Sequence, residues 1–473
     1  MENTLKIQND FAWLITDDIA IKQTLWGRLR VRVKGYYHNP LYKQGRWDGF
    51  VEYFSKSGGR FLTGLLPEVI KILEEHNFSY KTVDCRKFFD WQYKSIDEDF
   101  LNEWLPPGEK PVTLYDYQVE SVNKIIQDYR GLVKLPTSAG KTYILISILK
   151  CLPPKFPVLF MSKGVSLVDQ NYQEMKKWGL GNVGRVYDKY REPNYITCIN
   201  TNKASINFMS DILPKFKGIV VDEVHDCMSA IPKAAYKKLE NAVLRVGISA
   251  TPFKYDGKDI NQKLGVKGYF GGVLLTDTTE SGHVTTKYLQ DKSILSKSEC
   301  TFFKIIYPKI PHEPYGDAVT LGIAENMDFA QKVTKLVKSL EGRTLILVDR
   351  INQGDLLAKL IPNAYWLQGE THIDERSEIF KKLKFDEHAV AIVMQQIVSA
   401  GINVFIHNLV NAAGGKAEHS IIQRMGRGLR VAKDKDGLKY YDFIFDINDY
   451  LYKHSMTRIA TLEKEGHTVK IVG

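Results

Sequence analysis

Short apolar runs recur along most of this chain, separated by stretches with the periodicity of helices. They lie at residues 132–135, 158–161, 195–199, 219–222 and 245–249, and again at 344–348, 364–367, 390–394, 408–412 and 441–446. Each run is short and largely apolar, as expected for a strand whose sheet is covered by helices on both faces. The pattern therefore predicts two α/β domains in series, each with a parallel sheet.

The first hundred residues follow another pattern. Residues 28–33 alternate basic and apolar side chains, which predicts a strand with one buried face, and residues 69–73 predict a helix. Residues 106–108, Pro-Pro-Gly, can continue neither a helix nor a central strand and are typical of a linker. We therefore predict a small α+β domain at 1–105, a first α/β domain at 106–295 and a second at 296–473. Residues 265–297 should form the exit from the first α/β domain, and 454–473 a helix with a short end.

The charge of the chain favours a polyanionic partner. The net charge is +10 and the pI about 9.0, which favours nucleic acid without proving it. Nine lysines and arginines lie between Lys22 and Arg60, against only Asp48 and Glu52. Basic charge is thus concentrated in one segment of the N-terminal domain.

Several protein classes are disfavoured. The hydrophobic fraction of 44% and the charged fraction of 25% are those of ordinary globular proteins. No apolar run is long enough to span a bilayer, and the N-terminus lacks the pattern of a secretory signal. The five cysteines are far apart and form no C-x-x-C pair, which predicts reduced, buried thiols in a cytoplasmic protein.

A turn of small residues follows the run at 132–135 and leads into a helical pattern at 143–149. It reads Pro136-Thr137-Ser138-Ala139-Gly140-Lys141-Thr142. Such a turn can cradle a polyphosphate with its backbone N–H groups and the helix N-terminus. We expect Ser138 and Gly140 to line this cradle, Lys141 to reach the phosphates and Thr142 to bind Mg²⁺. The general motif has glycine at the position of Leu135, and a chance Gly-Lys-Thr at a helix start is the alternative.

The run at 219–222 ends in two carboxylates, Asp222 and Glu223, followed by Val224 and His225. ATP hydrolysis needs a held Mg²⁺ and an oriented water. Asp222 suits the metal, usually through water, and Glu223 suits the attacking water. An acidic turn after a buried strand is the alternative, but a phosphate cradle roughly 80 residues earlier favours an ATPase.

A basic segment towards the C-terminus reads Gln423-Arg424-Met425-Gly426-Arg427-Gly428-Leu429-Arg430. Arg427 and Arg430 would share one face of a helix. Guanidinium groups bind phosphate oxygens in pairs, and arginines supplied across an interface stabilise a transferring phosphoryl group. A basic helix or a nucleic-acid contact explains this segment alone equally well.

These three segments, in this order, resemble the motifs of superfamily 2 helicases and translocases. Smaller segments agree: 115–118 resembles the motif in which a glutamine reads adenine, 158–163 motif Ia, 200–201 motif Ib, 249–252 motif III, 345–350 motif IV and 399–403 motif V. The resemblance implies two RecA-like domains that bind ATP and nucleic acid along their cleft. It assigns adenine recognition to Gln118, further nucleotide contacts to Gly401 and Gln423, and coupling of hydrolysis to movement to His225, Ser249 and Thr251. Asn403 departs from the aspartate of many relatives, and 394–396 from the usual start of motif V.

Residues 39–49 resemble the N-terminal domain of the UvsW-type helicases of large tailed phages, and so does the form of the phosphate-cradle motif. The resemblance then covers nearly the whole chain. It implies a nucleic-acid-stimulated ATPase that uses ATP and Mg²⁺ in phage recombination, repair and replication, in the host cytoplasm. It implies fork regression and Holliday-junction branch migration on branched or forked DNA, with single- and double-stranded DNA and RNA–DNA hybrids as further partners. We expect a monomer and no membrane partner.

Two sets of residues are candidates for nucleic-acid contacts. In the N-terminal domain Lys34, Lys43 and Arg46 are interleaved with tyrosines and Trp47, which suits phosphates and unpaired bases. Trp47 filling the core of its own small domain is the favoured alternative for that ring. In the α/β domains the candidates are Ser162, Lys163, Thr201 and Arg350, which ordinary turn and surface roles would explain as well.

Other functions stay open at this point. The same motor residues would serve an RNA helicase, or a translocase that moves on duplex DNA without unwinding it. A nucleotide-dependent switch is disfavoured because it needs fewer hydrolytic residues than this chain has. No nuclease or methyltransferase motif is evident in the sequence.

Overall fold

The protein is described by a computed structural model in which the chain forms two compact units. One unit comprises residues 1–135 and 140–283, and the other residues 136–139 and 284–473. The structure describes residues 3–136, 139–253, 259–275, 284–295, 298–311, 313–369, 371, 373–395, 397, 406–415 and 437–472.

The first unit begins with a small α+β module, here called the N-terminal module (residues 3–84). Its elements are β1 (Thr4–Ile7), β2 (Phe11–Ile15), α1 (Ile19–Arg28), β3 (Arg30–Arg32), α2 (Pro40–Lys43), β4 (Phe50–Glu52), β5 (Arg60–Leu62), α3 (Leu66–Glu75) and β6 (Lys81–Asp84). One sheet has the order β5-β2-β1-β6, and β3 pairs with β4 in a separate antiparallel ribbon. Apolar residues of the sheet, α1 and α3 form one core. The predicted α+β class is confirmed.

The rest of the first unit is a seven-stranded sheet with helices. Its elements are α4 (Asp116–Asp128), β7 (Arg130–Lys134), α5 (Lys141–Cys151), β8 (Val158–Ser162), α6 (Val165–Lys177), β9 (Val183–Tyr187), β10 (Tyr190–Glu192), β11 (Ile196–Asn200), α7 (Lys203–Phe208), β12 (Gly218–Asp222), α8 (Ala230–Lys238), β13 (Leu244–Ser249) and α9 (Ile260–Phe270). The order is β10-β9-β11-β8-β12-β13-β7, parallel except for the β9–β10 hairpin. The central strands are buried, as their apolar runs predict.

Two predictions for this unit were incomplete or wrong. The hairpin of β9 and β10 was not predicted, because its charged and glycine residues break the apolar pattern. Residues 265–270 belong to α9 and are not a simple exit segment, since Val266 and Phe270 are fully buried against the sheet. The first residues of the predicted exit segment are therefore the end of a helix, with Leu264 in the apolar core of the N-terminal module and Val266 and Phe270 in the core of the larger sheet.

The second unit is also α/β, with a fully parallel seven-stranded sheet. Its elements are α10 (Thr286–Asp291), β14 (Ser298–Ile305), α11 (Tyr315–Val319), α12 (Met327–Lys338), β15 (Thr344–Val348), α13 (Ile351–Leu360), β16 (Tyr365–Leu367), α14 (Ile373–Phe385), β17 (Val390–Met394), β18 (Asn408–Asn411), β19 (Leu438–Phe445), α15 (Asp449–Lys464) and β20 (Thr468–Val472). The order is β16-β17-β15-β18-β19-β14-β20. The fold class of two RecA-like domains with parallel sheets is confirmed.

The C-terminal tail differs from its prediction. The helix begins earlier, at Asp449, and the residues after it form β20, which pairs with β14 at the edge of the sheet. The sequence Thr468–Val472 alternates polar and apolar residues too briefly to separate an edge strand from a frayed end. The tail is therefore part of the second sheet.

A buried histidine joins this tail to β14. The Nδ1 atom of His467 lies 2.5 Å from the hydroxyl oxygen of Ser298, and His467 is only 7% exposed. Burial lowers the pKa of His467 from 6.5 to about 4, since a charged imidazole would lose its hydration.

The shift predicts a pH-dependent stability of the second unit. The folded state disfavours the protonated imidazole of His467. The contribution of the neutral ring to the free energy of unfolding is therefore complete above pH 6.5 and is lost as the pH falls towards 4. The full loss corresponds to about 3 kcal/mol. Urea unfolding of His467→Gln, which keeps a hydrogen-bonding group but does not titrate, should show a smaller loss between pH 7 and pH 5 than the wild type. The exposed His388 gives the control, and a His467→Gln protein with the wild-type pH dependence would contradict the assignment.

The described residues contain no helix that combines the length and the apolarity needed to cross a bilayer. All five cysteines are free; four are buried as expected, but Cys85 is exposed.

Candidate ATPase site

The predicted motifs of the first unit meet at one edge of its sheet. β7 and β12 pair with β13 between them, and β8 pairs with the other side of β12. Lys141, Glu223 and Ser249 follow or end three of these neighbouring parallel strands. The carboxyl edge of a parallel sheet is where α/β folds bind their ligands, because the loops that follow the strands converge there.

The phosphate-cradle motif ends in a left-handed glycine at the start of α5. Gly140 has φ +75°, and a Cβ atom there would lie 2.2 Å from Nε2 of Gln118. The helix has no side-chain cap at Gly140, so its N-terminus is not closed by a protein side chain there. The left-handed backbone conformation strains any larger residue, and the Gln118 side chain would have to shift to admit one.

Gln118 is almost fully buried beside this turn. Its Oε1 atom accepts a hydrogen bond from the Tyr115 N–H at 2.9 Å, and its Nε2 atom lies 3.5 Å from the Gly140 carbonyl oxygen. The predicted adenine-reading residue therefore supports the phosphate turn directly. Leu135, which stands where the general motif has glycine, is a fully buried residue of the core.

Glu223 owes its orientation to an unusual backbone conformation. It has φ +46° and ψ +54°, in the left-handed region that non-glycine residues rarely adopt. This reversal after β12 brings its carboxylate to Lys141, whose Nζ donates to Oε1 at 2.9 Å. Both side chains are partly buried, at 15% and 17% exposure. Strain of this kind concentrates at functional sites, where the surroundings hold it in place.

Motif III completes the surroundings of Glu223. The Ser249 hydroxyl donates to Oε2 of Glu223 at 3.1 Å and accepts from the Thr251 N–H at 3.0 Å. Nδ1 of His225 lies 2.8 Å from the same hydroxyl oxygen. Because the hydroxyl has one proton, the ring nitrogen donates when that proton points to Glu223.

The charge of Glu223 is fixed by these neighbours. Burial alone would raise the pKa of its carboxyl, but the charges of Lys141 and His225 and the hydrogen bonds from Lys141 and Ser249 lower it on balance. The carboxylate is therefore ionised at neutral pH. An ionised carboxylate with one oxygen near the phosphate turn can orient a water and accept its proton.

The residues also fit a nucleotide with its Mg²⁺. Thr142 is the second residue of α5, and the half-buried Asp222 ends the neighbouring strand β12, with its Oδ1 accepting from the Glu223 N–H at 3.0 Å. The described residues contain no cluster of three or more histidine, cysteine or acidic side chains that would hold a metal alone. A hydroxyl and one carboxylate beside a phosphate turn match instead the way Mg²⁺ is held together with substrate phosphates.

Comparisons with known proteins agree with this geometry. Residues 111–254 match the family model described as "Type III restriction enzyme, res subunit", and residues 328–432 match "Helicase conserved C-terminal domain". The ATP-dependent DNA helicase uvsW of Enterobacteria phage T4 is 24% identical over 492 residues, covering 93% of each chain. The chain is a superfamily 2 helicase.

Other relatives place this helicase in a broad group. The DNA 3'-5' translocase XPB2 of Sulfurisphaera tokodaii is 24% identical, covering 76% of this chain and 88% of that one. The structure of a putative HsdR subunit fragment of a type I restriction enzyme from Vibrio vulnificus YJ016 superposes with a TM-score of 0.55 at 16% identity. That match covers 75% of this chain and 67% of the other, and it shows a shared fold. The helicase is an enzyme that uses ATP.

Several predicted site residues fall outside the described part of the helicase. They are Ser138 of the cradle, Gly401 and Asn403 of motif V, and Gln423, Arg427 and Arg430 of the basic segment. Their assigned roles stay predictions. The structure brings the other predicted residues of the first unit together in one network, which consists of Gln118, Gly140, Lys141, Glu223, His225, Ser249 and Thr251. Asp222 and Thr142 adjoin this network in sequence.

The predicted nucleic-acid contacts of the α/β domains occupy different environments. Ser162 is fully buried at the end of β8, and its carbonyl oxygen accepts from the Thr201 N–H at 3.2 Å. Lys163 is 61% exposed at the same edge of the sheet, and Arg350 is 46% exposed in the second unit. The exposed cations suit a contact with phosphate, whereas the hydroxyl oxygen of Ser162 is buried without a hydrogen-bond partner among the described residues, and its role stays a prediction.

Sequence reasoning missed contacts that connect motif III with α9, and α9 with the N-terminal module. Gln262 of α9 donates from Nε2 to the Pro252 carbonyl oxygen of motif III at 3.1 Å. Tyr53 of the N-terminal module lies 2.5 Å from the carbonyl oxygen of Asn261. Neither Gln262 nor Tyr53 belongs to a recognisable motif. Tyr53 and Asn261 are some two hundred positions apart, so no local pattern in the sequence could have indicated their contact.

Proposed function

We propose that this protein is an ATP-dependent DNA helicase or translocase that acts on branched DNA. Its work would be fork regression, Holliday-junction branch migration and R-loop unwinding in phage recombination, repair and replication, in the host cytoplasm. One observation carries the proposal, a row of alternating cations and aromatic rings on the N-terminal module. We call this row, formed by Trp26, Arg30, Phe50, Arg32 and Tyr36, the cation–aromatic ladder.

The ladder runs along the β3–β4 ribbon. The guanidinium of Arg30 lies 4.5 Å from the ring centroid of Trp26 and 3.9 Å from that of Phe50. Arg32 follows, at 4.8 Å from Phe50 and 4.6 Å from Tyr36. Arg30 is also paired with Asp48 and Glu52, so Arg32 is the ladder cation offered to a phosphate. Stacking holds the Arg32 side chain in place, so that less side-chain entropy is lost when it binds.

More candidate contacts surround the ladder. Tyr36 packs edge-on against Tyr42 and Tyr37, and Tyr37 is 55% exposed. The predicted residues Lys34, Lys43 and Arg46 are all exposed. Trp47 is half-buried, with its indole N–H donating to the Phe50 carbonyl oxygen at 2.6 Å, and it lies outside the described apolar core of the module. Cations beside aromatic faces can hold phosphates and stack on the unpaired bases of a junction.

The motor chemistry follows from the site. Bound Mg²⁺–ATP would supply the phosphoryl group, held by Lys141 and the α5 N-terminus, with Thr142 and Asp222 at the metal. Glu223 would orient the attacking water and accept its proton, and we infer that Arg427 and Arg430 stabilise the transferring charge. Because a motor must tolerate any sequence, its strand contacts should be mainly to phosphate.

ATPase stimulation distinguishes the candidate functions. We expect a four-way junction and a fork to stimulate hydrolysis by the full-length protein more than single strands, duplex or RNA do, at a fixed salt concentration. Stimulation by RNA alone would indicate an RNA helicase, and duplex stimulation without strand separation a non-unwinding translocase. Either result would overturn the proposal.

Substitutions in the ladder region test its part in binding. The double substitution Arg32→Ala with Lys34→Ala should weaken junction binding. It should also reduce the slope of log Kd against log salt concentration by the amount expected for about two lost phosphate contacts. Lys71→Ala is the control, since it removes a 75% exposed cation from α3. If both proteins bind the junction with the wild-type salt dependence, the ladder has no role in DNA binding.

A further inference from the structure

The N-terminal module shares a tight interface with the ATPase part of the first unit. A Cβ atom on Gly64 would lie 2.0 Å from the carbonyl oxygen of Lys267, and one on Gly268 would lie 2.7 Å from Leu62. Lys267 also forms a 2.5 Å ion pair with Glu68, and both side chains are largely buried. Leu264 of α9 belongs to the apolar core of the module. Backbones in such close contact cannot slide without separating.

Arg130 fixes a second part of this interface. Arg130 donates to the carbonyl oxygens of Asn9 in the module and of Tyr269 in α9. Nδ2 of Asn9 in turn donates to the Glu240 carbonyl oxygen at 3.3 Å. The module and α9 therefore belong to one packed body, and a displacement of one is carried to the other.

Helix α9 is bonded to motif III at its start. The side chain of Gln262 donates to the Pro252 carbonyl oxygen at 3.1 Å, and its own N–H is capped by Oδ1 of Asp259 at 3.0 Å. Pro252 immediately follows Thr251, whose N–H donates to Ser249. Since Ser249 donates to Glu223, these hydrogen bonds and the Thr251–Pro252 peptide bond connect the carboxylate of the ATPase site to the first turn of α9.

The neighbouring residue of α9 is bonded to the ladder side of the module. The hydroxyl of Tyr53 has both the carbonyl oxygen of Asn261, at 2.5 Å, and its Oδ1, at 2.7 Å, within donating distance. Tyr53 directly follows β4, and its N–H donates to the Leu29 carbonyl oxygen at 2.9 Å, next to Arg30. Tyr53 thus holds the backbone next to the ladder through its own N–H, and holds α9 through its hydroxyl.

We propose that Tyr53 is a positioning residue through which the cation–aromatic ladder and motif III influence each other. DNA bound on the ladder shifts the β3–β4 ribbon, Tyr53 carries the shift to Asn261 and Gln262, and Ser249 changes the setting of Glu223. By linkage, nucleotide at the ATPase site alters the ribbon in return. The proposal rests on the proposed function in one respect, that the ladder binds branched DNA.

A contact that only stabilises the fold would leave the response of the ATPase to DNA unchanged. The test must therefore measure a response that a merely stabilising contact would not change. Tyr53→Phe removes one hydroxyl from the full-length protein and keeps the ring. Tyr80→Phe is the matched control, since Tyr80 is also partly buried against the core of the module.

The first measurement is the ratio of ATPase rates at saturating four-way junction and at saturating single-stranded DNA. We expect Tyr53→Phe to lower this ratio by about fivefold, with basal ATPase and the Kd for the junction within twofold of wild type. Tyr80→Phe should keep the wild-type ratio. A Tyr53→Phe protein with the wild-type ratio would overturn the coupling and leave the proposed function intact.

The second measurement needs no DNA, and so separates the two proposals. Amide hydrogen exchange of residues 29–33 and 50–54 should change when a non-hydrolysable ATP analogue binds the wild type, and this change should be absent in Tyr53→Phe. Gln262→Ala, which breaks the same path on the other side of α9, should also remove it. If the analogue changes exchange equally in all three proteins, or in none, the coupling is refuted, whichever DNA stimulates the enzyme.

Discussion

Replacing Lys141 by alanine is expected to reduce ATP hydrolysis by at least a factor on the order of 10²–10³, both with and without nucleic acid. The Lys141 ammonium is held 2.9 Å from Glu223 at the start of α5, where it can reach the phosphates of a bound nucleotide. In the proposed mechanism, its removal takes away a positive charge that stabilises the transition state. It also takes away a charge that lowers the pKa of Glu223, which burial would then raise. Steady-state ATPase rates with and without single-stranded DNA measure the loss.

Lys150→Ala is the matched control for this substitution. It removes the same charge from the last turn of the same helix, where the ammonium packs 5.0 Å from the ring centroid of Trp104. We expect near wild-type ATPase from Lys150→Ala. DNA-stimulated turnover retained by Lys141→Ala would disprove the assignment of the phosphate cradle.

The second large effect is expected in the second unit, where replacing Arg458 by methionine should destabilise the fold by about 3–5 kcal/mol. Arg458 and Asp442 are both 0% exposed and form a bidentate ion pair, with Nε–Oδ2 and Nη2–Oδ1 distances of 2.9 Å. Arg458 also donates to the carbonyl oxygens of Gly414 and Gly415 at 3.0 and 3.1 Å. Without it, the charge of Asp442 remains buried with only neutral hydrogen-bond donors.

Hydrogen exchange of β19 in increasing urea gives the free energy of opening, and β13 of the first unit serves as an internal reference. Lys453→Met is the control, because Lys453 lies exposed on the same helix, α15. Adding Asp442→Asn to Arg458→Met should restore part of the stability by removing the uncompensated charge. A single unsatisfied buried polar group costs about 1–3 kcal/mol. If the opening free energy of β19 in Arg458→Met lies within about 1 kcal/mol of the wild-type value, the ion pair does not have the proposed stabilising role.

The sequence predicted the strands of both parallel sheets because an apolar run between helical patterns leaves few alternatives. The runs at 344–348 and 390–394 match β15 and β17 to the residue. Strands of mixed composition were not predicted, among them β14 and the β9–β10 hairpin, because polar and charged residues interrupt the apolar run. The domain boundary at 105 stays a prediction, although Phe89 and Trp91 pack against Tyr129, beyond that boundary.

The residues of the candidate site also fall into those that the sequence could predict and those that it could not. Lys141, Asp222 and Glu223 could be named from the sequence, because phosphate and Mg²⁺ restrict which residue types can follow adjacent strands. The partners that tune them could not. Gln118 against Gly140 and Ser249 against Glu223 join separate loops, and only the packed sheet shows which atoms touch.

By itself, the sequence determined the chemistry of this protein: a phosphate cradle, a pair of carboxylates and a basic N-terminal segment, each set by local residue order. The tertiary structure decided how these parts are held. It placed Glu223 in a left-handed conformation beside Lys141, buried Arg458 against Asp442, and bonded Tyr53 to Asn261. The physical reason is that residue order fixes local preference, whereas burial and contacts between distant segments are properties of the packed chain alone.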